Sequence, residues 1–273
     1  MPEMPEIETL ARKLRSVLIG KRVAGVRLSG LPLRRPIDDQ FPAKLRGRTI
    51  RQILRRGKYL VLKLEPQAFW IIHLGMSGKI LYHAAAGECA NHTHAVFHFS
   101  DSTRLEYRDF RRFGLLAAYE VRRINEIPEI NSLGIDPLSP MFCRKWLFPL
   151  LQKSRQDVKS FLLDQHKIAG LGNIYACEVL FLARIKPTRR CYTLTPLETV
   201  RLVHAIRDVL RLAIRHRGTS FSDFMDSDGN PGENQNNLRV FQREGKNCVR
   251  CRAPIQRMKQ GNRSSFFCSH CQR

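Results

Sequence analysis

The stretch Cys248-Val249-Arg250-Cys251, followed after sixteen residues by Cys268-Ser269-His270-Cys271, decides how the last part of this 273-residue chain folds. Two CxxC pairs at such a spacing each occupy a tight turn, and the hairpin between them brings four thiolates to the corners of a tetrahedron. Cys248, Cys251, Cys268 and Cys271 are therefore expected to hold one Zn2+. An all-thiolate set leaves no position for water, so the metal is structural, and its binding folds a segment too small to have a core of its own. The hairpin carries Arg252, Arg257, Lys259 and Arg263 with Gln256, Gln260 and Asn262 among them, side chains suited to phosphate contact. Cys89, Cys143, Cys177 and Cys191 have no ligand-like spacing and read as reduced, structural thiols.

Upstream of the ribbon, residues 219–237 turn to Ser, Asp, Gly, Asn and Pro, which predicts a long mobile loop, either linker or lid. Before it, Thr195-Pro196-Leu197-Glu198 is a capping box with proline in the first turn, and an apolar stripe from Leu197 to Ile214 runs on to Gly218, so a long helix is expected there. Further helical runs fall around Trp146–Leu151, Gln156–Asp164 and Asn173–Leu182. Before residue 120 the period shortens. Tyr59–Leu64, Phe69–Leu74, Lys79–Tyr82, Ala95–Phe99, Arg104–Tyr107 and Leu115–Tyr119 read as short strands of a sandwich or barrel. Ile7, Leu10, Ala11, Leu14, Val17 and Leu18 precede them at helical spacing. The expected fold is α+β and multidomain: an N-terminal helix with a β-sandwich, a helical region, and a zinc ribbon.

Forty-seven Lys and Arg against 24 Asp and Glu give a formal charge of +23 and a pI near 10.4, spread along the chain in Arg pairs rather than collected in a tail. A polyanionic partner is the first expectation, nucleic acid before membrane surface or ribosome. No run of about 18 apolar residues is available to span a membrane, and the first residues lack the apolar stretch of a secretory signal, so an intracellular chain is expected. Composition and spacing stop at a basic, two-domain nucleic-acid binder with a zinc ribbon.

Met1-Pro2-Glu3-Met4-Pro5-Glu6-Ile7-Glu8-Thr9 closely resembles the opening of the formamidopyrimidine-DNA glycosylases and their endonuclease VIII relatives. The same resemblance continues, in order, through Arg56-Gly57-Lys58-Tyr59, His73-Leu74-Gly75-Met76-Ser77-Gly78, Arg108-Asp109-Phe110-Arg111-Arg112-Phe113-Gly114, Leu163-Asp164-Gln165 to Gly170-Leu171-Gly172-Asn173-Ile174-Tyr175-Ala176, Ser227-Asp228-Gly229 and the ribbon. It covers the whole chain and implies a bifunctional DNA glycosylase and abasic-site lyase of base excision repair. Damaged double-stranded DNA is the implied partner, with no membrane involved, and a cytoplasmic, nucleoid-associated monomer is expected. The expected divisions are a catalytic sandwich at 1–135, a helical DNA-binding domain with a helix-two-turns-helix element at 136–225, a lesion-capping loop and linker at 226–243, and the ribbon at 244–273.

The resemblance implies a role for each matching residue. Once Met1 is removed, Pro2 presents a secondary amine with a pKa near 8, nucleophilic without a partner. It can attack the sugar C1′, expel the base and form an iminium that permits strand cleavage by elimination; with Met1 in place Pro2 is an inert amide. Glu3 is the implied general acid/base on the sugar, Glu6 lies a helical turn on, and Lys58 completes the implied catalytic set by binding the phosphate near the lesion. Asn173 and the helix N-terminus behind it are implied to hold a phosphate. His73, His92, Lys159 and Arg263 match further DNA contacts. Met76, Arg111 and Phe113 match the wedge that fills the hole left by the everted base.

The pattern departs in the capping loop. Aromatic residues are expected near 233 and 234 in the 8-oxoguanine enzymes, and a Tyr-Gly pair at 241 and 242, where this chain has Glu233, Asn234, Phe241 and Gln242. Oxidised purines are the implied substrates, with β,δ-elimination following. Oxidised pyrimidines or another lesion, or a non-catalytic damaged-DNA-binding protein, are the alternatives.

Overall fold

The computed structural model describes residues 2–85, 87–221 and 224–273, and the chain divides into two compact units. The first comprises residues 1–132 and 216–235, the second 133–215 and 236–273.

The first unit opens with helix α1 (Met4–Leu18). Glu3 caps it: the Glu6 carboxylate accepts the Glu3 N–H at 2.7 Å, the reciprocal arrangement of a capping box. There follow β1 (Val23–Leu28), α2 (Phe41–Leu45), β2 (Thr49–Arg56), β3 (Tyr59–Glu65), β4 (Ala68–His73), β5 (Lys79–His83), β6 (Thr93–Phe99), β7 (Arg104–Arg108), β8 (Leu115–Tyr119) and the short α3 (Pro128–Asn131). The strands pair antiparallel into two four-stranded sheets, ordered β1-β6-β7-β5 and β2-β3-β4-β8. One apolar cluster fills the space between them. Ile7, Leu10, Leu14 and Leu18 of α1 enter it from the side, and Trp70 of one sheet meets Phe97 of the other with ring centroids 4.1 Å apart. All six strands expected from alternation are present. β1 and β2 were not singled out by it, because in VAGVRL and TIRQILRR arginine and glutamine interrupt the apolar alternation.

The second unit contains α4 (Arg144–Gln152), α5 (Val158–Leu163), α6 (Asn173–Ala183), α7 (Pro196–Arg215) and the hairpin β9 (Gln256–Gln260) with β10 (Arg263–Phe267). The capping box at α7 is formed: Thr195 N–H reaches Glu198 Oε2 at 2.9 Å, and Glu198 N–H reaches Thr195 Oγ1 at 3.2 Å. α6 is buried from Ile174 to Phe181 on all sides, as a helix apolar all round must be. Its one acid, Glu178, accepts backbone N–H groups from Arg239, Val240 and Phe241 at 2.8 to 2.9 Å; burial pushes its carboxyl up, and those three donors oppose the shift. Between α5 and α6 the two turns are clamped by Gln165, whose amide accepts from Gly170 N–H at 2.8 Å and donates to Leu171 O at 2.7 Å. No helix among the described residues is long and apolar enough to cross a membrane.

The segment expected as a mobile loop is tied down where it is described; Ser222 and Asp223 lie outside the described residues. Asp226 is buried and its Oδ1 accepts from Asp228 and Asn230 N–H at 3.0 and 2.9 Å, while Ser227 O accepts from Tyr82 N–H at 2.9 Å. The small polar residues that read as loop composition are here the ones that make the bonds.

Candidate functional site

In the first unit the candidate residues gather at the head of α1 and the adjoining strand ends. Glu8, one turn into α1, accepts from Arg55 Nε of β2 at 3.1 Å. Burial alone would raise the Glu8 carboxyl, but Arg12, Arg55 and Arg15 hold it below the ordinary carboxylate range. Arg55 Nη1 also reaches Gly57 O at 3.4 Å, so the ion pair ties the turn that carries Lys58 to α1. Lys58 is only 7% exposed, unlike the solvated lysine usual at a strand entry. Pro2 and Glu3 are buried at the helix start; Met1, on whose removal the reading of Pro2 turns, lies outside the described residues. Glu6 is buried too. Its second oxygen accepts from Thr219 N–H at 2.7 Å, and Gly218, with φ +80°, passes so close that an added Cβ would lie 2.8 Å from that carboxylate.

His73 pairs in register with Tyr59, the neighbour of Lys58. Burial, together with the charges of Lys58 and Arg34, lowers its imidazole to about 4. The ring is therefore neutral at neutral pH, with Nδ1 accepting from Gly75 N–H at 3.0 Å and the proton left on Nε2. Because an unfolded histidine titrates near 6.5, the unfolded state binds more protons than the native one between pH 6.5 and 4. Stability should then fall as pH drops through that window, by at most roughly 3 kcal/mol, since His73 is only half-buried. Urea unfolding of wild type and His73→Asn across the window checks this: the variant should lose part of the acid dependence.

Met76, Arg111 and Phe113 line one cavity of about 610 Å3 with Arg34 and His73, and the Arg111 guanidinium lies over the Phe113 ring, 4.7 Å from its centroid. The turn that carries Arg111 and Phe113 is held by Asp109, which is fully buried and also bonds Ser77 of the turn that carries Met76. Its carboxylate accepts from Ser77 Oγ at 2.5 Å, Gly114 N–H at 2.8 Å and Tyr107 OH at 3.3 Å. Thus Phe113 stands 45% exposed, and Phe110 55%, on a pinned backbone. Asp109→Ala strands three buried donors and should cost about 3 kcal/mol or more, read as a lower urea midpoint; an unchanged midpoint would show that the turn does not depend on it. His92 sits exposed beside this turn with φ +63°, its carbonyl accepting Asp109 N–H at 3.1 Å.

In the second unit Asn173 is the first residue of α6, and its Nδ2 donates to Ser264 O at 3.0 Å. Lys159 is 1% exposed; its ammonium donates to Ser264 O at 3.0 Å and Ser265 Oγ at 2.6 Å. It thus braces β10 from inside, whereas Arg263, first residue of that strand, is exposed.

The four ribbon cysteines converge, with all their sulfurs within 4.8 Å of one another. Cys248 and Cys271 Sγ are 3.9 Å apart, Cys251 and Cys268 Sγ 3.4 Å, close to the roughly 3.8 Å edge of a tetrahedral Zn–S4 site. The donor set fits one structural Zn2+. Burial pushes the Cys191 thiol up to about 11, the property of an inert core thiol.

The residues that sequence reasoning missed are the supports: Glu8, Arg55, Asp109 and Thr219. Their signal is spatial, an acid or amide whose partner lies on another element.

Comparison with known proteins places this geometry. Residues 1–116 match the formamidopyrimidine-DNA glycosylase N-terminal domain, 133–225 the formamidopyrimidine-DNA glycosylase H2TH domain, and 245–273 the zinc finger found in FPG and IleRS. The formamidopyrimidine-DNA glycosylase of Pelotomaculum thermopropionicum is 41% identical over 100% of this chain and 99% of its own length. The MutM (FPG) protein of Thermus thermophilus superposes with a TM-score of 0.89 at 38% identity, covering 99% of this chain and 98% of that one. The Lactococcus lactis FPG complexed with FAPY-dG containing DNA gives a TM-score of 0.90 at 32% identity and 99% coverage of both chains. The chain belongs to the formamidopyrimidine-DNA glycosylase family.

Proposed function

We propose that this chain is a base excision repair DNA glycosylase and abasic-site lyase that removes oxidised purines, formamidopyrimidines and 8-oxoguanine among them. One observation carries the reading most directly: Pro2 and Glu3 stand at the head of α1, with Glu6 bonded to the Glu3 amide and the Lys58 turn pinned to the same helix through Arg55 and Glu8. Binding alone requires neither an N-terminal proline nor an acid beside it.

In the processed chain the Pro2 nitrogen donates its lone pair to C1′ as the C1′–N bond breaks, and the base leaves with the electron pair of that bond and takes up the proton shed by the Pro2 nitrogen. Glu3 then protonates O4′ as the C1′–O4′ bond opens, and the electron pair left on the Pro2 nitrogen closes the iminium at C1′. The resulting iminium acidifies the C2′ hydrogen; its loss expels the 3′ phosphate, and a second elimination expels the 5′ phosphate. Lys58 holds the phosphate beside the reacting sugar. His73, being neutral, offers an Nε2–H donor rather than a charge. His92, Asn173 and Arg263 grip further phosphates, and Lys159 acts through the ribbon it braces. Met76, Arg111 and Phe113 enter the stack, Arg111 donating to the orphaned partner base. Zn2+ supplies no chemistry here; it folds the ribbon.

In this reading 1–135 is the catalytic sandwich, 136–225 the helical DNA-binding domain, 226–243 the lesion-capping loop and linker, and 244–273 the ribbon, working as a cytoplasmic, nucleoid-associated monomer. The polar pair Glu233-Asn234 favours a second reading of the substrate, in which the same chemistry acts on oxidised pyrimidines or another base. Duplexes carrying 8-oxoguanine, dihydrouracil or an abasic site, incubated with borohydride and resolved on a denaturing gel, test both. Adduct on 8-oxoguanine supports the first reading, adduct only on dihydrouracil the second, and none on the abasic site overturns lyase chemistry.

A further inference from the structure

The segments 216–220 and 232–235 are joined by a series of hydrogen bonds. Glu233 N–H donates to His216 O at 2.8 Å, and Asn234 N–H to Gly218 O at 3.0 Å. Gly232 N–H donates to Ser220 Oγ at 2.8 Å, and Ser220 N–H to Gln235 Oε1 at 3.1 Å. At the centre is Asn234, 3% exposed, whose Nδ2 donates to Thr219 Oγ1 at 2.9 Å. Glu233 faces outward and pairs with Arg217.

Thr219 joins this latch to the head of α1. Its backbone N–H donates to Glu6 Oε1 at 2.7 Å, and the other oxygen of Glu6 accepts the Glu3 N–H at 2.7 Å. A continuous line of three short contacts therefore runs from the Asn234 amide through Thr219 and Glu6 to the backbone of Glu3. Both oxygens of Glu6 are engaged in it, and the residue is 1% exposed. A buried carboxylate held at both oxygens has one orientation available, and it keeps that orientation only while both donors stay in place. The Thr219 donor is carried by a chain segment with left-handed backbone at Arg217 and Gly218 (φ +58° and +80°), a conformation that an L residue adopts only when its surroundings enforce it. Asn234 contributes two of the bonds that enforce it, one from its backbone and one from its side chain.

We infer that Asn234 is a positioning residue: through Thr219 and Glu6 it fixes Glu3 and the Pro2 amine beside it, so that the capping segment and the reacting groups move as one. The inference rests on the catalytic reading of Pro2 and Glu3 given above. It also gives the unusual polar residue at 234 a function, since a hydrocarbon ring there could fill the space but could not donate to Thr219.

The test compares the zinc-loaded full chain with Asn234→Ala and Asn234→Ser on the lesion duplex that wild type excises fastest, measuring the single-turnover rate, the duplex affinity and the urea midpoint. A displacement of the reacting groups by about 1 Å costs on the order of 100-fold in rate. Asn234→Ala should therefore lose 10- to 100-fold in single-turnover rate, with affinity within about threefold of wild type, and Asn234→Ser, which keeps a donor, should recover most of the loss. A rate within twofold of wild type would overturn the inference. So would a loss shared equally between rate and urea midpoint and not recovered by serine, which would mark Asn234 as packing alone. A wild-type chain that forms no borohydride adduct would overturn the catalytic reading first and this inference with it.

Discussion

Placing one extra residue ahead of Pro2 should abolish covalent capture of DNA while leaving duplex binding close to wild type. The extension converts the Pro2 nitrogen from a secondary amine into a tertiary amide, whose lone pair is delocalised into the carbonyl and cannot attack C1′. Removing a nucleophile that acts as a unit with its acid typically costs several orders of magnitude, so trapped adduct and strand cleavage should fall by at least ~10^3-fold. Binding should survive because the phosphate contacts proposed above, at Lys58, Asn173 and Arg263, do not involve the Pro2 nitrogen. Fluorescence anisotropy with a labelled abasic-analogue duplex measures the second quantity, and a denaturing gel after borohydride the first. Equal loss of both would mean that the extension disturbs the head of α1 rather than the amine, because Glu3 and Glu6 cap that helix.

Cys268→Ser should produce the second large effect, on DNA affinity. A structural zinc in a ribbon of this size contributes about 10–16 kcal/mol of binding free energy to folding, far more than the short hairpin β9–β10 can supply from packing. Cys268 and Cys248 are both buried, and loss of one thiolate opens the tetrahedron. The damage extends beyond the ribbon, because Lys159 and Asn173 both bond to Ser264; without β10 the buried Lys159 ammonium loses its acceptors. The expected result is loss of bound zinc, measured by a colorimetric chelator, and at least ~100-fold weaker duplex binding, as several charge-assisted contacts are lost together. Retained affinity in the zinc-free variant would show that the ribbon is a clamp on the fold and not part of the DNA grip.

How much of this was legible in the sequence depends on whether the deciding partner is near or far along the chain. The capping box at Thr195–Glu198, the α7 stripe ending before Gly218, and the CxxC pairs are local patterns, and each is present in the structure. Strands β1 and β2 were not picked out because their arginines obey the sheet register but not an apolar alternation. The burial of Lys159 was invisible for another reason: its acceptors lie 105 and 106 residues away, and nothing in its own helix announces them. Asp109 stood inside a motif whose meaning came from resemblance; that it holds the wedge turn through Ser77, Tyr107 and Gly114 follows only from the fold. The loop expected at 219–237 is not loose where it is described, and it ends in a 3-10 turn at Asn234–Asn237; a sequence lists its Asp, Ser and Asn side chains without saying that Asp226 and Asn234 are buried and bonded.

The most direct test of the central claim is to locate the covalent bond. The processed chain is trapped on an abasic-site duplex with borohydride, digested, and its N-terminal peptide weighed by mass spectrometry. Fragment ions should place the reduced sugar remnant on the nitrogen of Pro2. A remnant on a lysine such as Lys58 instead, with Pro2 unmodified, would contradict the account.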